Sequence, residues 1–244
     1  MKKTLSFCLA ATILCCTSIT TIAHASTLNT DNPTKIEKSV KNLNKNIVSV
    51  GDKTKIKLNE VYVTVPYEKE DINVKYHETD TEVEAEITDK NTNNVLTTIG
   101  EEINNSNYRS LSSSSYYNKT VYSTVKLGPT KSRLYGVLNC YNYNNFRQID
   151  SVEKTYWKPV SSGNWTLENT NSDGYVVNST DPDGPGSSAV ISGDANIQII
   201  TTSSTSGSFS ITALESVGFT VTNSTGSTYY ARIPIDKEFT YSLY

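Results

Sequence analysis

From Lys119 to Tyr244 the sequence returns repeatedly to one pattern, a stretch rich in Thr, Tyr, Val and Ile followed by a short cluster of turn formers. The stretches fall at 119–127, 133–143, 146–157, 165–169, 174–179, 195–202, 208–212, 217–223, 229–233 and 239–244. β-Branched and aromatic side chains lose rotamer freedom in a helix and pack well on a pleated, half-buried surface. No apolar period near 3.6 residues competes with them. Between them stand Ser161-Ser162-Gly163-Asn164, Ser172-Asp173-Gly174, Asp183-Gly184-Pro185-Gly186 and Asn223-Ser224-Thr225-Gly226. These residue types tolerate positive φ or hydrogen-bond back to their own backbone. A chain built this way is mainly β. Residues 117–244 are expected to form an antiparallel β-sandwich or barrel, with 239–244 paired inside a sheet.

The region before it differs in charge. Residues 26–107 contain ten lysines, no arginine and fifteen acidic residues, whereas residues 108–244 balance ten basic against ten acidic residues and hold 13 of the 16 tyrosines and both tryptophans. Asn104-Asn105-Ser106-Asn107 and the run Ser110 to Ser115 mark the junction. The shift predicts a small acidic α+β module over 26–107, a Ser-rich linker over 108–116 and the β-domain over 117–244. In the module, Ile36, Val40, Leu43 and Ile47 share one face of a short helix that starts near Pro33. Strand patterns follow at 60–65, 72–77, 83–88 and 95–99. In the clearest of them Glu82, Glu84 and Glu86 alternate with Val83, Ala85 and Ile87, which reads as a solvated acidic face over an apolar one. Asp89 to Asn94 then has the composition of a hairpin loop. Arg109, the first arginine, lies in the linker where a protease reaches, so the module also reads as a propeptide or detachable unit cleaved there.

Residues 1–25 read as a secretory signal peptide, with Lys2 and Lys3 as the charged start, Leu5 to Cys16 as the apolar stretch and Ala23-His24-Ala25 before a cleavage between Ala25 and Ser26. The apolar stretch is too short to cross about 30 Å of hydrocarbon. Export removes Cys8, Cys15 and Cys16 and leaves only Cys140, so no intrachain disulfide is available and stability rests on the core. Cys140 alternates with Leu134, Gly136 and Leu138 and reads as a core residue. The remaining chain carries 20 basic against 25 acidic residues, which disfavours nucleic acid and anionic membrane as electrostatic partners. With this signal, abundant Asn, Lys, Ser and Thr, and almost no cysteine, the chain resembles in general style an exported Gram-positive bacterial protein. Such a protein is secreted into the medium or held non-covalently on the wall.

The inventory for catalysis is thin. His77 is the only histidine outside the signal peptide, and no zinc-ligand spacing, nucleophile elbow or phosphate-cradling loop is present. No catalytic residue, metal or cofactor is therefore expected, and nothing local activates Cys140 for a dyad with His77. Asp181-Pro182-Asp183-Gly184 begins like a calcium loop but lacks the third carboxylate and the distal glutamate, so it reads as a proline-stiffened turn. A two-carboxylate hydrolase is the third reading, and it needs one acid raised by burial or a close like charge.

Binding is the favoured class. Tyr156, Trp157 and Trp165 fall in neighbouring strand ends amid dense tyrosines, and flat aromatics on a β-surface stack on sugar rings or anchor a protein partner. These three form the expected aromatic platform, for a surface polysaccharide or a cell-surface protein, although aromatic residues also fill sandwich cores. The alternative is a secreted β-pore-forming toxin or bacteriocin-like effector acting on membranes. It rests on the stretch from Ala195 to Thr228, where Glu215 is the only charge and Ser208-Phe209-Ser210-Ile211-Thr212 alternates as a lipid-facing hairpin would.

Overall fold

The computed structural model describes residues 47–103, 115–178, 180–181 and 184–244. In chain order the strands are β1 (Ile47–Val50), β2 (Lys53–Lys57), β3 (Tyr62–Val65), β4 (Ile72–Glu78), β5 (Glu82–Asp89), β6 (Val95–Glu102), β7 (Ser115–Leu127), β8 (Thr130–Tyr143), β9 (Phe146–Pro159), β10 (Trp165–Val177) and β11 (Ser188–Thr202). A short helix, α1 (Ile211–Ser216), precedes β12 (Thr220–Thr225) and β13 (Thr228–Ser242).

They form two antiparallel sheets packed as a β-sandwich. The first runs β1-β2-β3-β13-β11-β10, with β12 also paired to β13. The fifteen-residue β13 carries β11 along one edge and shares the other between β12, at residues up to Arg232, and β3, from Thr240 onward. The second sheet is a meander in chain order, β4-β5-β6-β7-β8-β9. Local chemistry sets its turns. Asp89 Oδ1 accepts from the Asn91 and Thr92 N–H groups, closing the β5–β6 loop as its composition predicts. Two-residue turns join β7 to β8, where Gly128 takes φ +53°, and β8 to β9, where Asn144 takes φ +54°.

The inward residues of both sheets form one large cluster around Ile56, Val63, Ile87, Ile99, Leu134, Leu138, Ile191 and Tyr241. A second cluster fills one end of the sandwich with Trp165, Ile197, Ile199, Leu214, Phe219 and Ala231. Tyr241, fully buried on β13, crosses between the sheets, its hydroxyl lying 2.6 Å from the Gly100 carbonyl oxygen and 2.9 Å from that of Tyr122. Residues 239–242 are paired within the first sheet, as expected for this stretch.

Three expectations change. The division into a module over 26–107 and a β-domain over 117–244 is not a break between sheets. β6 pairs with β7 and β3 pairs with β13, so the described strands on both sides of the junction belong to the same two sheets. The physical reason is that the apolar faces of 47–103 have no cover of their own and share one core with the later strands. The strand expected at 208–212 is replaced by a 3-10 turn, Gly207–Phe209, and α1. Ser210 caps this helix by accepting from the Ala213 N–H, and the helix drives Leu214 into the second cluster. The acidic face of β5 is not simply solvated, as described below. The signal peptide, Ala25 and Ser26, the helix near Pro33, Arg109, and Pro182 and Asp183 of the turn lie outside the described residues, as does all of the linker before Ser115. Among the described residues no helix is long and apolar enough to cross a membrane.

Candidate functional site

The three aromatics of the expected platform do not share a surface. Trp165 opens β10 and is buried at 8% exposure in the second cluster. Trp157 packs between the two clusters, and its indole N–H donates to the Asn171 carbonyl at 3.1 Å. It crosses above Gly193, where a Cβ would sit 2.9 Å from the indole nitrogen, so that crossing depends on glycine. Tyr156, one residue before Trp157, points the opposite way because side chains alternate along a strand.

Tyr156 belongs instead to a tyrosine row on the outer face of the second sheet. It stacks on Tyr135 with centroids 4.9 Å apart and planes 8° apart, and Tyr135 lies 5.4 Å from Tyr122. Tyr122 has no exposed surface although it faces away from the sandwich core. Two features close it over. Its ring lies across Gly100, where any Cβ would come within 2.1 Å of the ring. The Arg133 guanidinium sits 3.9 Å from its centroid. Arg133 in turn reaches Glu82 Oε2 at 2.9 Å and Glu84 Oε2 at 2.9 Å, and the Tyr122 hydroxyl donates to Glu82 at 2.9 Å. β5 is three strand spacings from β8, about 14 Å on a flat sheet, a span that the long arginine and glutamate side chains bridge across Gly100 and Tyr122. Burial raises the Glu82 carboxyl, but the hydrogen bond and charge of Arg133, with Tyr122 and Lys131 adding, outweigh it and hold the group below the usual glutamate value.

The same face is open at the other end of β7, β8 and β9. Tyr116 pairs with Tyr141 across β7 and β8, ring centroids 5.0 Å apart, and Tyr143 pairs with Phe146 across the β8–β9 turn. Tyr116, Tyr143 and Phe146 are 62%, 51% and 54% exposed. Gln148 stands opposite Tyr141, and Asn144 and Asn145 form the exposed turn. From Asn139 to Gln148 the only charged residue is Arg147. Its guanidinium turns away to donate to the Glu60 and Leu243 carbonyls at 3.3 and 2.7 Å. The result is a surface of flat rings bordered by amides, with the Glu153 carboxylate beside it accepting from Asn139 at 3.3 Å. The sequence signal was Asn-Cys-Tyr-Asn-Tyr-Asn-Asn-Phe at 139–146, whose period-two aromatics mark one strand face.

Two other charged features complete the survey. A shallow trough of about 360 Å³ on the outer face of the first sheet spans β10, β11 and β13, with Asp194 directly opposite Asp236 and with Asp173 and Glu238 beside them. All four carboxylates are exposed, and Asn171 donates to Asp194 at 3.1 Å. Between the sheets, the fully buried Glu101 accepts the Asn59, Glu60 and Val61 N–H groups at 3.0 to 3.3 Å and the Lys119 ammonium at 2.9 Å. Burial pulls Lys119 down, but the Glu101 and Glu60 carboxylates outweigh it and hold the group above its ordinary value. This arrangement pins the turn between β2 and β3 to the second sheet.

Cys140 is buried in the core, and burial pushes its thiol up to about 12. His77 is exposed on β4, opposite Glu84 on the outer face, so the two cannot form a dyad across the sheet. Among the described residues no group of three or more histidine, cysteine or acidic side chains is placed to hold a metal ion. No protein-family model, curated protein or solved structure matches the chain.

Proposed function

We propose that this is an exported protein that binds a neutral surface polysaccharide through the open aromatic end of its second sheet. The observation that carries the reading is the joint exposure of Tyr116, Tyr143 and Phe146 on one face bordered by amides. Large exposed aromatic patches mark interaction sites. Rings present flat apolar faces to the C–H face of a sugar at low rotamer cost, and asparagine and glutamine amides both donate to and accept from hydroxyls. With the Arg147 guanidinium turned away and the Glu153 carboxylate beside the patch, a neutral glycan is favoured over an anionic one.

The test is sedimentation of the purified chain from Ser26 onward with insoluble neutral glucan, chitin and isolated cell walls. The wild type is expected to be retained, and Tyr143→Ala with Phe146→Ala to lose at least tenfold in retention. Retention on walls that disappears after protease treatment of the walls assigns a protein partner instead. No retention at all rejects the reading.

A second reading, a membrane-acting effector, is favoured by one observation. β7, β8 and β9 are 13, 14 and 14 residues long and are joined by two-residue turns, whereas about 9–11 residues suffice for a strand to cross a bilayer. The stretch from Ala195 that first suggested such a role is not a free hairpin. Ala195, Ile197 and Ile199 are buried in the second cluster. Dye release from liposomes by the purified chain supports this reading, and intact liposomes at saturating protein remove it.

A further inference from the structure

Phe146 and Tyr143 sit at the tip of a hairpin whose outer strand, β9, is the edge of its sheet. Edge strands leave alternate N–H and C=O groups without a strand partner. On β9 those groups are filled by other parts of the chain. Ile149 exchanges two hydrogen bonds with Gly186, at 2.7 and 2.9 Å. Two residues nearer the tip, Arg147 meets only a side chain on that edge. The Tyr244 hydroxyl accepts from the Arg147 N–H at 2.7 Å and donates to the Arg147 carbonyl at 2.9 Å. One phenol thus does the work of one residue of a neighbouring strand, using both its acceptor and its donor capacity. The Arg147 guanidinium lies 5.4 Å from the same ring, and Lys55 donates to the Tyr244 carbonyl.

We infer that Tyr244 is a positioning residue for the aromatic end, fixing the backbone immediately beside Phe146 so that its ring and that of Tyr143 are ordered before ligand arrives. The inference rests on the reading of that end as a binding surface. Half of Tyr244 is exposed, so its hydroxyl contributes little to the core. Its effect falls on the order of the hairpin, and pre-ordered rings bind with a smaller entropy loss.

Tyr244→Phe tests this, because it keeps the ring over the guanidinium and removes only the hydroxyl. Amide hydrogen exchange at Arg147 is expected to quicken at least tenfold, while Ile149, held by Gly186, is unchanged and serves as the internal reference. Affinity for whichever neutral glycan retains the wild type is expected to fall about tenfold, with the melting temperature unchanged. Unaltered exchange at Arg147 overturns the inference. So does equal glycan affinity of the variant and a wild type that binds. If the wild type binds none of the neutral glycans, the binding reading fails first and the positioning role falls with it.

Discussion

The outer face of the second sheet carries tyrosines at both ends, on the same three strands and with the same alternation, yet one end is sealed and the other is open. Tyr122 is sealed because Arg133 lies over it, held there by two carboxylates from β5, and Tyr135 is covered by the stacked ring of Tyr156. Tyr116, Tyr143 and Phe146 stay open because Arg147, the neighbouring cation on their own hairpin, is drawn to the opposite side by backbone carbonyls of Glu60 and Leu243. The residue type is alike at the two ends. What differs is where the neighbouring guanidinium finds its acceptors. A tyrosine on a β-surface is therefore structural or available for binding according to the fate of a charge several strands away.

The strongest way to break this comparison is Arg133→Ala. It leaves Glu82 and Glu84 with only the more distant Lys131 among the described residues to offset their charge, and it uncovers Tyr122. Removing one partner of a largely buried charged network costs about 3 kcal/mol, expected as a matching loss in urea unfolding. Tyr122, fully buried in the wild type, is expected to become accessible to tetranitromethane. If Tyr122 stays unreactive, the arginine is not what closes that end.

Gly100→Ala attacks the same end from below. The new methyl would meet the Tyr122 ring, and the ring cannot lift without leaving Glu82, so a loss of about 2 kcal/mol is expected. Thermal unfolding measures it, and a variant as stable as the wild type shows that the ring has room to move.

Acid provides a milder lever. Because Glu82 is held below the ordinary glutamate value of 4.5, its contribution to stability is complete above that value. It is lost as the pH falls through the lower folded value. Glu82 is partly exposed, so solvent screening keeps the effect to about 1 kcal/mol. Glu82→Gln is expected to be less stable than the wild type at neutral pH, with the gap closing as the solution is acidified. A gap that stays constant down to pH 2 contradicts the assignment.

The open end sharpens the contrast by its indifference. Tyr143→Ala with Phe146→Ala is expected to change stability by no more than about 0.5 kcal/mol, since the rings are already in water. Glycan retention is nevertheless expected to collapse. A large loss of stability would mean that these rings are structural after all.

Much of this architecture was legible in the residues. The alternation of Val83, Ala85 and Ile87 with glutamates placed β5 and its buried face correctly, and Asp89 to Asn94 announced their loop. The continuous Thr- and Tyr-rich stretches marked most later strands. The candidate site was only half legible. The sequence pointed to Tyr156, Trp157 and Trp165, on β9 and β10, and the fold packs the two tryptophans against its apolar clusters; Tyr143 and Phe146 were not singled out.

By itself the sequence determined which residues share a strand face, because the period of two is a property of the local backbone. It also determined where the chain must turn, because positive φ and short polar side chains act within a few residues. Only the tertiary structure decided which faces are covered. Burial of Tyr122, the pairing of Glu82 and Glu84 with Arg133 and the merging of residues 47–103 into the same sandwich all depend on strand order and register. Those bring together groups as far apart in the chain as Glu82 and Arg133, and no local pattern encodes such a meeting.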